Sequence, residues 1–394
     1  MKGPPPKSLP ERHEEELRRR QQRGELRVRL AADYRRLVQE HGLAEAYDAT
    51  DVVVAANAEF TDQASLHLSL GPTDPPIRLR DPLLDGVLAQ AGGSGSDLVL
   101  PLAGGSLEGP LRSGARGGAQ VLATLLAGGS IEFSASGEIT ALQPRRDLNL
   151  RLDRQQIGQG RLLLHRAIGE NGLVAVSSAE GVVRTAWGPL LGPWGSALYT
   201  CGGAGSIGLT MPGLSLLGPG SPVLVAGAIG WVVGSGSGHQ PGVRRLASGH
   251  ARAPGATAAV SVDWQDLDPR WIRACFFEGH GSALLVAIAA PVPLIHATVA
   301  RQAAAADGDL EAPVLDLSIP RRLKPGFGGV PYSLLKGGRI PVEGRSLPAA
   351  PAHSPRLAEE VGQELARRLR EGSFPLRLPL VPLNPRPSLL PLEA

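Results

Sequence analysis

The stretch Trp264 to Ile295 most constrains what this chain can fold into. An acidic turn with two tryptophans, Trp264 to Trp271, leads through Ile272 to Phe277 into the apolar run Ala283 to Ile295, which is broken by Pro291 and Pro293. This run and Val223 to Val233 are the longest apolar segments. Both fall short of the roughly 20 helical residues that cross a bilayer, and Gly or Pro interrupts them. No membrane span is expected, so these segments belong inside a water-soluble core.

The remaining composition fits such a core. The 394 residues hold 51 Gly and 35 Pro but only 4% aromatics, which implies many turns, close backbone approaches and aliphatic packing. The formal charge of +3 comes from an arginine-rich N-terminus. Its Arg18-Arg19-Arg20 run lies among Glu14, Glu15, Glu16 and Glu25, the pattern of a solvated helix, so nucleic acid is not an expected partner. Two cysteines, Cys201 and Cys275, cannot build a disulfide framework or a Cys-rich metal site. Met1 to Lys7 leads into charges rather than an apolar signal, and a reducing cytoplasm is the expected setting.

Helical and extended signals alternate. A helix is expected over Glu11 to Gln22, a strand over Leu26 to Leu30, and a helix from Ala31 that stops at Gly42 with a further turn to Tyr47. Asp51 to Ala56 reads as a buried strand, and short strand-like runs recur at Ile131 to Phe133, Leu148 to Leu152, Leu162 to His165, Leu173 to Val176, Val223 to Val225 and Ala258 to Val262. Residues 91 to 118 are rich in Gly, Ser and Ala and read as loops within the domain, followed by a helix over Gln120 to Leu126. Ser354 and Pro355 open the clearest helix, with Leu357, Val361, Leu365 and Leu369 on one face. The expected architecture is a single α/β domain with a central mixed sheet, Gly-rich loops at the pocket edge, and a C-terminal amphipathic helix followed by a Pro-rich strap. Its expected limits are a basic, Pro-rich arm and helix over 1–24, the main domain over 25–373 and the tail over 374–394.

Several constellations carry candidate chemistry. Cys201 precedes Gly202, Gly203 and Gly205, a loop able to flank a thiolate or an anion with backbone N–H groups; the competing reading is a small buried apolar residue. Cys275, between Ala274 and Phe276, reads as core. The Gly-rich loop containing Gly236 and His239 ends an apolar strand, a favoured ligand position in α/β sheets, yet it fits neither a dinucleotide fingerprint nor a P-loop. His280 stands between Gly279 and Gly281 and, with His239, is a candidate proton carrier. No histidine pair has metal-ligand spacing. Asp74, fixed by Pro75 and Pro76, and Arg78 can orient a charged amino-acid substrate or form a structural ion pair. Asp268 and Arg270 form a second acid–base pair of this kind, and no metal site is assigned.

Taken in order, Asp51-Val52-Val53, Gly71 to Arg78, Gly227 to His239, Asp268 to Ala274, Gly279-His280-Gly281, Ile288 to Ile295, Pro331-Tyr332-Ser333, Gly337 to Ile340 and Leu347 to Pro351 resemble the homocysteine biosynthesis (sulfur-incorporation) family. The likeness runs from about Gly24 to Pro382. It implies homocysteine formation from aspartate semialdehyde and a sulfide source, with electrons from an external donor such as a ferredoxin-like redox partner, and it leaves the cofactor unknown. The family's proposed sulfur-carrying cysteine lies in a Gly-Thr-x-Cys-Tyr-Pro segment, where this chain has Leu142. A second family cysteine falls near Asp62, within Phe60 to Ser65. The pattern is that of a cyanobacterial-type member lacking both. The resemblance thus implies either a sulfur carrier moved to Cys201 or a degenerate relative that binds a small metabolite or a partner without sulfur chemistry. The ligand-sensing CBS domains of some relatives are not expected.

Overall fold

The computed structural model describes residues 9–92, 95–103 and 117–385. The Pro-rich tip before Leu9, most of the Gly-rich run (93–94 and 104–116) and the tail end 386–394 lie outside the described residues. The strands Val52–Thr61 and Gly281–Pro293 form the antiparallel centre of the largest sheet, paired from Val52 with Pro293 to Thr61 with Leu284. Both are apolar and buried along most of their length, as strands packed on two faces require. Pro291 and Pro293 fit because the neighbouring strand Pro222–Val225 pairs only with Ile288 and Ala289. Beyond those residues Gly281–Pro293 has a partner on one side, and a missing N–H costs no ladder bond on the other.

From the centre the sheet continues on one side through Pro222–Val225, Ala228–Ser235, Thr257–Asp263, Ile157–Gly169, Ala64–Leu70, Asp97–Pro101 and Gln90–Ala91. On the other, Val28–Leu30 pairs parallel with Val52–Thr61; Ile272–Phe277 pairs with the first half of Gly281–Pro293, off the main path and on the same edge as Pro222–Val225. One parallel pair among antiparallel ones makes the sheet mixed, and helices join it to give an α/β fold. The helix Ala31–Asp48 bends at Gly42 (φ 81°), where the sequence places a stop, and resumes to Asp48.

A second sheet runs in the order Gly326–Pro331, Glu311–Asp316, Val174–Val176, Ala197–Tyr199, Arg345–Pro351, Arg339–Val342. It has its own apolar cluster, containing Val174, Val314, Tyr332 and Cys201. The hairpins Leu79–Leu84 with Val87–Leu88 and Ile131–Gly137 with Asp147–Leu152 form a smaller four-stranded sheet, which carries Leu142 in the loop between its last two strands.

The helix Pro355–Arg370 covers the large sheet. Ser354 Oγ accepts from Leu357 N at 3.3 Å, Pro355 begins the first turn, and Leu357, Val361, Leu365 and Leu369 are buried. After it, Phe374 and Leu376 are buried and Leu380 N donates to Pro219 O at 3.0 Å, so the described tail lies along the body as a strap. Near the N-terminus, Asp51 is wholly buried and gathers Arg20 and Arg27 at 2.7 Å each and Arg12 at 3.7 Å. The arginine-rich segment is thus built into the fold through one carboxylate. No helix among the described residues is long and apolar enough to cross a membrane.

Candidate functional site

The site begins with alternation in Val52–Thr61. Residues two apart share a face of a strand, so Asn57 and Glu59 project together from an otherwise apolar segment. Buried polar groups of this kind need partners. Asn57 Nδ2 donates to Glu59 Oε1 at 2.5 Å, and Asn57 Oδ1 accepts from Ile207 N at 2.7 Å. The loop from Cys201 to Ile207 is thereby tied to the large sheet, with a second tie from Ala56 N to Gly205 O at 3.1 Å. Glu59 also pairs as an isolated bridge with His353.

Cys201 is buried, with its thiol 3.3 Å from Ser206 Oγ. Burial chiefly, and the neighbouring Glu59 carboxylate, push its pKa up to about 11. Glu59 is only partly covered as a residue, yet protein surrounds its carboxyl group. Burial pushes that group up to about 7, against the lowering effects of the Asn57 hydrogen bond, Arg166 and Cys201. Glu59 is therefore placed to exchange a proton near neutrality, whereas the thiol keeps its own. Tyr332, also fully buried and raised well above its ordinary value by burial and by Cys201, donates its hydroxyl to Asn171 Oδ1 at 2.6 Å. A Cβ on Gly172 would stand 2.5 Å from Cys201 Cβ, so only glycine lets this segment pass behind the thiol.

Two cavities meet at Asn57 and Glu59. The smaller, about 110 Å³, is lined by Asp62, Arg166, Asn171, Gly172, Trp187 and Thr200 among others. Among the described residues neither an ion pair nor a hydrogen bond engages the Arg166 guanidinium. The larger, about 570 Å³, lies between the Gly202–Ser206 loop, the start of Ala31–Asp48, His353 and the first turns of Pro355–Arg370. Burial lowers His353 to about 4, leaving a neutral imidazole against Tyr199. Among the described residues no group of three His, Cys, Asp or Glu side chains is placed to hold a metal ion.

The sequence-derived candidates distribute unevenly around this centre. Cys201, Gly202, Gly203 and Gly205 share its loop, with Gly202 and Gly205 lining the larger cavity and Gly203, at φ 75°, packed on Tyr332 and Asp307. His280 reaches the rim of the smaller cavity through Asp62, 3.2 Å from its Nε2. His239 instead takes Thr257 N on Nδ1 at 3.0 Å and faces Asn384 O through Nε2 at 2.9 Å, fastening the tail. Gly236 packs on the backbone at His165 and Ala258. Arg78 pairs with Glu138 at 3.3 Å rather than with Asp74, which is exposed, and neither lines a cavity described above. Asp268 caps a short turn and binds Arg270, whose guanidinium lies 4.7 Å from the Trp271 ring. Leu142, which the resemblance set against the family's cysteine, is 85% exposed. Cys275 is half-buried in the strand Ile272–Phe277.

Glu59, Asn57, Arg166 and Asn171 were not singled out by sequence reading. The available signal was the polar alternation Asn57-x-Glu59 continuing an apolar strand, which extends past Ala56 where the sequence signal fades.

The model of the family described as "Homocysteine biosynthesis enzyme, sulfur-incorporation" matches residues 27–376, nearly the whole described body. The chain belongs to this homocysteine biosynthesis family. It is similar to the L-aspartate semialdehyde sulfurtransferase of Methanocaldococcus jannaschii, 27% identical over 374 residues, covering 91% of this chain and 70% of that protein. It is likewise similar to the L-aspartate semialdehyde sulfurtransferase of Methanosarcina acetivorans, 26% identical over 369 residues, covering 94% and 71%. No solved structure matches it significantly. In this homocysteine biosynthesis family member, then, the residues at the cavity junction are the ones to weigh against the family's chemistry.

Proposed function

We propose that the chain incorporates sulfur into a four-carbon amino-acid semialdehyde, the substrate named for both relatives, to give homocysteine. The observation that carries this reading is that Glu59, which hydrogen-bonds the Cys201 thiol, lines one small cavity together with Arg166 and with Gly172 and Thr200, the residues that abut Cys201. Arg166, which makes no hydrogen bond or ion pair there among the described residues, is suited to the substrate carboxylate. Glu59, poised near neutrality, is suited to give and take protons.

In this reading Cys201 carries the sulfur. Glu59 accepts the thiol proton, and the thiolate attacks a sulfane-sulfur donor, forming a persulfide and releasing the donor's thiolate. The terminal sulfur then bonds to the aldehyde carbon, with Glu59 protonating the oxygen that departs as water. Four electrons and four protons reduce the carbon and cleave the S–S bond, leaving homocysteine and the Cys201 thiol. The electrons come from an external donor of the ferredoxin-like class.

A second reading is favoured by the burial of Cys201, the exposure of Leu142 and the pairing of Asp62 with His280: a relative that binds a small metabolite without sulfur chemistry. Rescue of a homocysteine-requiring bacterium, grown anoxically with polysulfide as the sulfane-sulfur donor, separates the two. Rescue by the intact chain but not by Cys201→Ser supports the sulfur-carrier reading. Absence of rescue with soluble protein and a supplied electron donor supports the second.

A further inference from the structure

The larger cavity is too roomy to be explained by a four-carbon amino acid, which the smaller one suits, and its walls have a definite chemical character. One side is small and apolar, formed by Val54, Ala56, Ala58, Ala358 and Gly362. The opposite side is backbone at Gly202 and Gly205, with Lys336 beside it. Behind Gly205 lies Arg35, whose Nη1 is buried with no hydrogen-bond partner and stands 3.2 Å from where a Gly205 Cβ would be. A buried donor left unmade costs about 1–3 kcal/mol, more when it is charged, so an unpaired guanidinium nitrogen beside a cavity calls for a counter-charge.

Asp307 is the carboxylate whose charge reaches Arg35, yet neither it nor the other acids near this space hydrogen-bonds Nη1. Asp33 is engaged by Arg36 at 2.8 Å and Glu359 by Gln363 at 3.2 Å. Asp307 is shared between Lys336 at 2.6 Å and Ala204 N at 2.8 Å. Glu59 sits at the far wall with its carboxyl held by Asn57. His353, packed on Tyr199, adds a neutral surface.

We propose that this cavity is a second small-molecule site that takes an organic anion, its head toward Arg35 and Lys336 across the Gly202–Gly205 loop and its apolar body along the Val54–Ala58 wall. The site goes beyond the sulfur-incorporation reading and does not require it. Because Asn57 and Glu59 belong to both cavities, an anion bound here also abuts the wall of the smaller one.

The test uses purified full-length chain, calorimetric titration and four probes: octanoate, octyl phosphate, octylamine and inorganic phosphate. Octanoate or octyl phosphate binds to the wild type, octylamine does not, and the better of the two anions identifies a carboxylate or a phosphate head. Weaker binding of inorganic phosphate than of octyl phosphate shows the contribution of the apolar wall. Ala358→Phe, which fills the cavity from the helix side, abolishes binding, and Arg35→Gln weakens it about tenfold. Arg35→Gln breaks no hydrogen bond of Nη1, so its melting temperature is retained and the loss is read as binding; Lys336→Gln provides a second reduction. Failure of both eight-carbon anions to bind, octylamine binding as tightly as they do, or anion binding unchanged in Arg35→Gln and Lys336→Gln would overturn the site. None of these readouts depends on homocysteine formation.

Discussion

Asn57 and Glu59 are joined by a 2.5 Å hydrogen bond, while the other end of the Asn57 amide accepts from Ile207 N. One side chain thus sets both the carboxyl group of the central strand and the start of the short helix after Cys201. Asn57→Ala removes an interaction that lowers the Glu59 pKa, so the Glu59-dependent limb of the activity profile moves to higher pH. A pH profile of kcat/KM measures the displacement.

The same carboxyl group makes stability pH-dependent. Its folded pKa, about 7, lies above its ordinary value of 4.5, so between these values the folded state binds more protons than the unfolded one. Stability from this group is present below about pH 4.5 and lost as pH rises through 7. Glu59→Gln removes that loss and is more stable than wild type above pH 7, by roughly 1–2 kcal/mol after allowance for its partial exposure. Urea unfolding at pH 5 and pH 8 measures the difference. His353 acts oppositely. Its folded pKa of about 4 lies below 6.5, so its contribution is present above 6.5 and lost as pH falls toward 4. His353→Gln flattens the acid side of the same curve.

Arg166 lines the small cavity near Glu59 but makes no ion pair or hydrogen bond among the described residues. Arg166→Gln raises KM for the semialdehyde by roughly tenfold to a hundredfold, the worth of a charge-assisted hydrogen bond of about 1.5–3 kcal/mol. Initial-rate kinetics distinguish this from a fall in kcat.

Gly172→Ala places a methyl group 2.5 Å from Cys201 Cβ and 2.8 Å from Cys201 N. The thiol segment must move, at a cost of about 1–3 kcal/mol, and activity falls together with the melting temperature. Thermal unfolding alongside the activity assay reads both effects.

Asp51→Asn leaves Arg12, Arg20 and Arg27 without their shared buried anion. A loss of about 3–5 kcal/mol follows, measured by chemical denaturation.

Much of the scaffold was legible in the chain because it follows local rules. Ser354, Pro355 and the four one-turn-spaced apolar residues after them mark the last helix, and Gly42 marks the bend in the first long one. The extent of the strands was less legible. Asp51 to Ala56 looks complete at its last apolar residue, yet pairing with Gly281–Pro293 carries the strand on to Thr61 and brings in Glu59. A carboxylate gains its raised pKa from residues distant in sequence, and no local pattern reports that. His239 shows the converse: a histidine in a Gly-rich loop looks like chemistry until the tail closes over it and takes its ring. Arg78 pairs with Glu138, far along the chain, rather than with the nearby Asp74.

The most direct test of the sulfur-carrier account is the mass of the Cys201 peptide after the folded protein is incubated anoxically with a sulfane-sulfur donor. The expected result is one added sulfur atom on Cys201, formed much more slowly in Glu59→Gln and readily lost when the semialdehyde and a reductant are supplied. Homocysteine formed by wild-type protein whose Cys201 never gains sulfur, or formed equally well by Cys201→Ser, would contradict it.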